Sequence, residues 1–312
     1  MKLALAGDTM LGRGVAEHIA AAGTGSLFAP EVVAAVHEAD GVVLNLECCI
    51  SDRGVPGVGR VFHFRAPPAA VDALLELGVG CVTLANNHAL DFGPEALLDT
   101  FGHLESAGIP WVGAGRDVDA ARAPVVLETG GFRLGVIAVA DHPARDAATA
   151  DLPGIAFADL RSGVPAWLPQ AIREVDADAV LVAPHWGPNM CSEPVPHVRA
   201  AAPALLDAGT TVIAGHSAHV FHGVGRRVLY DLGDFVDDYA VDRTLRNDLG
   251  LLVLVDLAGF QLEALPLKLE YAHTRLAVGD DFAWVRDRFR SACEAFGTDV
   301  TEVDGRLVAS WR

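Results

Sequence analysis

The sequence predicts an α/β fold, and three observations predict it. Short apolar runs with the length of buried strands alternate with segments of helical spacing. Five of those runs end abruptly in chemistry-bearing residues: in Asp8, in Glu47, in Asn86-Asn87-His88, in His185, and in His216 with His219. Of the 312 residues, 51% are hydrophobic and 21% charged, the balance of a globular core. In such folds, side chains at the carboxyl ends of buried strands face the crevice where chemistry is placed.

Taken in order, the run from Leu3 to Gly7 is a strand entering Gly7-Asp8-Thr9-Met10-Leu11-Gly12-Arg13, and a helix follows from Val15 to Ala22. Asp8 is left at the strand end; a helix N-cap is the alternative role for it. Val42 to Leu46 is a second strand, delivering Glu47. Residues 51 to 65, rich in Gly and Arg, read as a loop over the site that carries Arg53, Arg60, His63 and Arg65. Pro68 to Leu77 is helical and stopped by Gly78. Cys81 to Ala85 is the central strand, and Pro94 opens a helix that runs to Ala107. A short strand spans Ile109 to Gly113, and Gly130-Gly131 turns a hairpin between Val125–Leu127 and Phe132–Val139. Asp141-His142-Pro143 ends that pair. A helix from Pro169 to Val175 precedes the strand Val180 to Ala183, which delivers His185-Trp186-Gly187. A helix from His197 to Ala208 leads to the strand Thr211 to Ala214 and to Gly215-His216-Ser217-Ala218-His219. Val228 to Leu232 runs into Gly233-Asp234-Phe235, a second hairpin spans Leu249 to Leu265, and Asp280 to Phe296 is helical. No linker divides the chain, so residues 1–266 form one main domain, with 267–312 a helical extension packed on it.

The formal net charge is −18, and Lys2 and Lys268 are the only lysines. Such a surface disfavours nucleic acid and anionic membrane as partners, and leaves local arginines to hold an anionic small molecule or peptide. Five cysteines, odd in number and without CxxC spacing, read as reduced thiols. The amino-terminal apolar run meets Asp8 and Arg13 too soon for a secretory h-region, and no run is long enough to span a bilayer. The expectation is a cytoplasmic, unanchored protein.

A core has no use for so many unpaired polar groups, so the five strand ends point to one metal site assembled from distant pieces. Carboxylate, amide oxygen and imidazole together suit one or two Mn, Fe or Zn ions. Asp8, Glu47, Asn87, His185, His216 and His219 are the candidate ligands, with Glu47 the natural bridge of a dinuclear centre. His88 would sit over the substrate as proton donor, oriented by Asp91, unless Asp91 caps the helix at Gly93. Arg13, Arg65, Asn86 and Trp186 are the candidate substrate contacts. The cluster Asp231, Asp234, Asp237 and Asp238 reads as a solvated turn.

These motifs, in this order and spacing over Lys2 to Val236, resemble those of the CapA-type (poly-γ-glutamate capsule biosynthesis) proteins, a branch of the calcineurin-like metallophosphoesterase superfamily. The resemblance implies a four-layer α-β-β-α sandwich with two mixed sheets and a metal centre at the strand ends. It also implies a hydrolase in which a metal-activated water attacks a phosphoester while His88 assists. An enzyme directed at a peptide or γ-glutamyl amide, including Cα epimerisation, is the alternative; a non-catalytic binding protein is the second. Three departures from the pattern stand out. Met10 occupies the place of a usual His, Asp234 replaces the Asn of a common Gly-Asn-Phe, and the membrane anchor expected of capsule members is not seen.

Overall fold

The computed structural model describes residues 1–310, and its central feature is a pair of mixed β-sheets. In the first, the strands Lys2–Thr9, Gly41–Leu46, Cys81–Thr83 and Trp111–Val112 run parallel, in that spatial order. Leu249–Asp256 pairs antiparallel on the other side of Lys2–Thr9, followed by Gln261–Glu270. In the second sheet, Phe132–Ala140, Ala179–His185 and Val212–Ala214 are parallel neighbours, with Val125–Thr129 antiparallel at one edge. Among the described residues no helix is long and apolar enough to cross a membrane.

Strand alternation shows how the second sheet is buried. Ile137, Val139, Val180, Val182 and Ile213 pack with Leu168 and Ile172 of the helix Trp167–Glu174 and with Val198, Ala201 and Leu205 of Pro196–Asp207. Their neighbours Leu134, Val136, Ala138, Leu181, Ala183 and Val212 face the opposite way and join the core built on the first sheet. Two buried faces explain why these strands read as continuous apolar runs. The helices Arg13–Ala22, Pro30–Val36 and Gly93–Ser106 add Val15, Ile19, Val32, Leu97 and Phe101 to that larger core.

Most expected elements are present, with ends shifted by a few residues. The tail departs from the expected helical extension. Gly279–Glu294 is a helix, but Gln261–Glu270 runs through position 266, and a hairpin of Val300–Val303 and Arg306–Ser310 extends the first sheet. Short edge strands of alternating, half-exposed character carry too weak a pattern to mark themselves. The expected tail's last two positions, 311–312, lie outside the described residues.

Both sheets present the carboxyl ends of their parallel strands at one shared edge. Asp8 is in register with Asn45 and with Asp234, while His185 is in register with Ala140 and bridges to His216. Gly7 makes this convergence possible. A Cβ there would lie 1.9 Å from the carbonyl oxygen of Gly233, whose segment pairs with the first strand. Gly7→Ala is therefore expected to cost about 1–3 kcal/mol through forced separation of the two segments. A thermal melt unchanged by the substitution would contradict so close an approach.

Candidate metal centre

Asp8, Asn45, Glu47, Asn86 and Asp91 are fully buried, and His185, His216 and His219 nearly so. Desolvating so many ionisable groups stabilises nothing by itself, so their packing needs another cause. Asn45 organises the carboxylates: its amide donates to Oδ1 of Asp8 at 2.8 Å and to Oε2 of Glu47 at 3.1 Å. Its own oxygen accepts from Thr83 and Asn86, both at 3.0 Å. Asn86 spends its other bonds on the Leu46 carbonyl and the His88 amide. It is thus a fully buried positioning residue, not the substrate contact expected.

The remaining oxygen of Glu47, Oε1, has no hydrogen-bond partner. Three imidazole nitrogens surround it: Nε2 of His88, His185 and His219 each lie 3.9 Å away. Nδ1 of His216 is 3.1 Å from Oδ1 of Asp8 and makes no hydrogen bond. Oδ1 of Asn87, both ring nitrogens of His185 and Nε2 of His219 are likewise buried without a partner. Asp8, Glu47 and His185 offer ligand atoms within 4.8 Å of one another, as do Asp8, His219 and Asp234. Buried groups left this far unsatisfied, all of them good donors for a borderline or hard divalent ion, fit a metal. Five of the six expected ligands, Asp8, Glu47, His185, His216 and His219, each lie within 3.9 Å of a carboxylate or ring of another, and Asn87 lines the adjoining cleft.

The segment bearing the histidine pair is held in a demanding conformation. Ser217 and His219 have φ of 111° and 57°, a region that L-residues enter at a cost, as functional loops often do. Asp231, expected in a solvated turn, is buried and accepts from the amides of Ala218 and Gly233, both at 2.8 Å. Asp234 and Asp237 are buried too, which corrects that expectation. Asp234 accepts the Nδ1 proton of His219 at 2.7 Å, leaving Nε2 of that ring bare toward Glu47. A carboxylate behind a ligand imidazole fixes its tautomer and raises its basicity. Met10 is fully buried in the core and offers the centre nothing. Trp186 is likewise a core residue: its indole donates to the Tyr230 carbonyl at 2.9 Å, against Gly215, and steadies the approach to His216.

Beside the centre lies a cleft of about 420 Å³, lined by Asn87, His88, His142 and Arg145 with Arg60, Val61 and Phe62 of the long loop. His88 donates from Nδ1 to Asp91 at 2.6 Å, a contact that fixes the orientation of the ring; the helix at Gly93 has no side-chain cap. Arg60 was not among the expected contacts. Its Nη1 lies 3.2 Å from Asp91 and donates to the Asn87 carbonyl at 2.6 Å, while its Nη2 donates to both carboxylate oxygens of Asp146. Nothing in the sequence distinguishes it from its neighbours Arg53 and Arg65. The two arginines that were expected lie elsewhere. Arg13 is paired with Asp238 and stacked among Phe62, Phe64 and Tyr239, and Arg65 stacks on Phe92 at 4.2 Å. His142 donates to Asp141, whose other oxygen accepts from His197 and the Gly187 amide, and its ring is 5.3 Å from that of His185.

A model of the bacterial capsule synthesis protein PGA_cap family matches residues 2–239. The chain belongs to that family. It is 34% identical over 284 residues to a probable polyglutamine synthesis accessory protein of Mycobacterium tuberculosis, covering 84% of this chain and 74% of the relative. It is 29% identical over 283 residues to the capsule biosynthesis protein CapA of Bacillus anthracis, covering 86% and 68%. A PGA biosynthesis protein CapA of Bacillus subtilis is 29% identical over 246 residues, covering 76% and 63%. The matched region of this PGA_cap member contains every residue placed at the centre above.

Electrostatics sets the proton inventory. Burial, then the neighbouring Asp8, pushes Glu47 well above the usual carboxylate range, and burial with Asp237 and Asp8 does the same to Asp234. Burial pushes His219 down to about 4 and His185 well below its usual value. The His185 and His219 rings are therefore held toward their neutral form and the Glu47 carboxyl toward its protonated form, so a cation competes with a proton there. Uptake of Mn²⁺ or Zn²⁺ is expected to release protons and to tighten as pH rises toward the raised value of Glu47. Calorimetry in two buffers of different ionisation enthalpy measures this; zero proton release would refute it.

Proposed function

We propose that this chain is a metal-dependent hydrolase of the metallophosphoesterase type, acting on a phosphoester in an anionic small molecule or peptide. The observation that supports it best is Oε1 of Glu47, buried, unpartnered among the described residues and ringed by three imidazole nitrogens. Asp8, Glu47, Asn87, His185, His216 and His219 would hold one or two ions, with Asp234 behind His219. A bound divalent ion supplies charge stabilisation and a water acidic enough to act as nucleophile near neutral pH. The fold we read with this function is the four-layer sandwich, a reading supported by the two-sided burial of the second sheet. We also read the protein as cytoplasmic, on the ground of its five free and mostly buried thiols.

The chain's own residues divide the remaining work. Asp91 holds the His88 ring by Nδ1, so that Nε2 is the atom that handles a proton at the cleft. Arg60 holds Asp91 and the backbone of Asn87, fixing the dyad against the centre, and ties both to Asp146. Arg145 and His142 also line the cleft and provide cationic and hydrogen-bonding capacity for an anionic group.

A second reading, a peptide- or γ-glutamyl-directed enzyme on the same site, is favoured by the names of the relatives, which concern polyglutamine or PGA synthesis. Stripped protein reloaded with Mn²⁺, Fe²⁺ or Zn²⁺, given phosphoesters and γ-glutamyl amides in heavy-oxygen water, separates the two. Label in released phosphate supports the hydrolase; turnover of the amides alone transfers the site to the second reading. His88→Asn is expected to keep its metal and lose about 10²–10⁴-fold in rate. Arg60→Ala should lower kcat with metal content unchanged. A His88→Asn enzyme of full activity would remove His88 from the chemistry.

A further inference from the structure

A second cavity of about 360 Å³ opens between residues 192–199 and the carboxyl-terminal part of the helix Gly279–Glu294. It shares no lining residue with the cleft at the metal centre. Its charged lining is Glu193, Arg199 and Arg288, a local positive excess in a chain of net charge −18.

The two guanidinium groups are fixed and short of counter-charge. Arg288 sits 5.3 Å and 5.4 Å from the ring centres of Phe221 and Trp284, which hold its plane in place. Its Nη2 donates two long bonds, 3.3 Å to the Ser192 carbonyl and 3.4 Å to that of Phe221, and its Nε is buried with no partner. Among the described residues it forms no ion pair. Burial lowers its pKa, with Glu193 alone pulling the other way. Arg199 stacks on Phe296 at 5.0 Å, donates from Nε to the Pro194 carbonyl at 2.9 Å, and among the described residues has a single ion-pair partner, Glu193, whose side chain is 77% exposed. An ion pair that open to water contributes little and is readily exchanged for a better anion. Stacked guanidinium forks with unspent N–H groups, beside the hydroxyls of Ser192 and Ser291, make the recognition surface that carboxylates and phosphates select.

We propose that this pocket is a binding site for an oxyanion, the carboxylate or phosphate of a small molecule, separate from the metal centre. The inference does not depend on the hydrolase reading. Its geometry makes Arg288 the anchor, Arg199 the second arm once Glu193 is displaced, and the exposed Ser291 a rim contact.

Metal-stripped full chain titrated calorimetrically with inorganic phosphate and, separately, with glutarate provides the test. Stripping removes the centre as a competing anion site. Saturable binding of one equivalent of either probe is expected, weakened about tenfold or more by Arg288→Gln and by Arg199→Gln. Because Arg288 also braces the core, Ser291→Asp is the second variant: it sets a negative charge at an exposed rim position, and should abolish binding with the melting temperature unchanged. Preference for phosphate or for glutarate identifies the source of the oxyanion. No saturable binding of either probe, or binding indifferent to both Arg288→Gln and Ser291→Asp, would overturn the proposal.

Discussion

The side-chain amide of Asn45 lies between two carboxylates that water would otherwise keep apart. Asp8 and Glu47 come from the ends of adjacent parallel strands, both fully buried, and one NH₂ group bonds to each. Asp8 stays ionised because, against the cost of burial, His216, His219 and His185 hold its pKa far below the usual range, while Glu47 is driven the opposite way. The rest of the centre follows from this asymmetry. One carboxylate is held toward its charged form and its neighbour toward its protonated form, with imidazoles packed around both. Such a group of residues is poised for a cation and is costly to the fold without one.

The second sheet supplies the other half of the arrangement. Its strand ends deliver His185 and His216 to the same edge, and the left-handed backbone at Ser217 and His219 turns the pair inward. Asp231 and Asp234 lie buried behind that turn, one taking up backbone amides and the other a ring proton. The acidic stretch after Tyr230 is therefore internal scaffolding for the centre.

Much of this was legible in the chain. Apolar runs that stop dead at Asp8, Glu47, Asn87, His185 and His216 mark strand ends wherever a sheet is buried on both faces, and the structure gathers those residues at one edge. What the sequence hid depends on contacts between distant segments. Arg60, Arg53 and Arg65 look alike in a Gly-rich stretch, and only the fold decides which meets Asp91 and Asp146. Trp186 adjoins the candidate ligand His185 in sequence yet packs into the core, since successive residues of an extended segment face opposite sides. Asp234 resembles any solvated acid until Gly7 lets its segment lie against the first strand. The sheet-extending hairpin near the carboxyl end has too little apolar periodicity to be distinguished from coil.

The long loop over the cleft combines two properties that are usually separate. Val55, Val58, Val61 and Phe62 are exposed along it, while Arg60 fastens it to both walls of the cleft through a side chain only 9% exposed. Fastening and surface chemistry are thus assigned to different residues of one short stretch. The apolar positions can drift without disturbing the dyad, so long as the single arginine stays. The loop's attachment therefore rests on one buried guanidinium, and its exposed face on residues that take no part in that attachment.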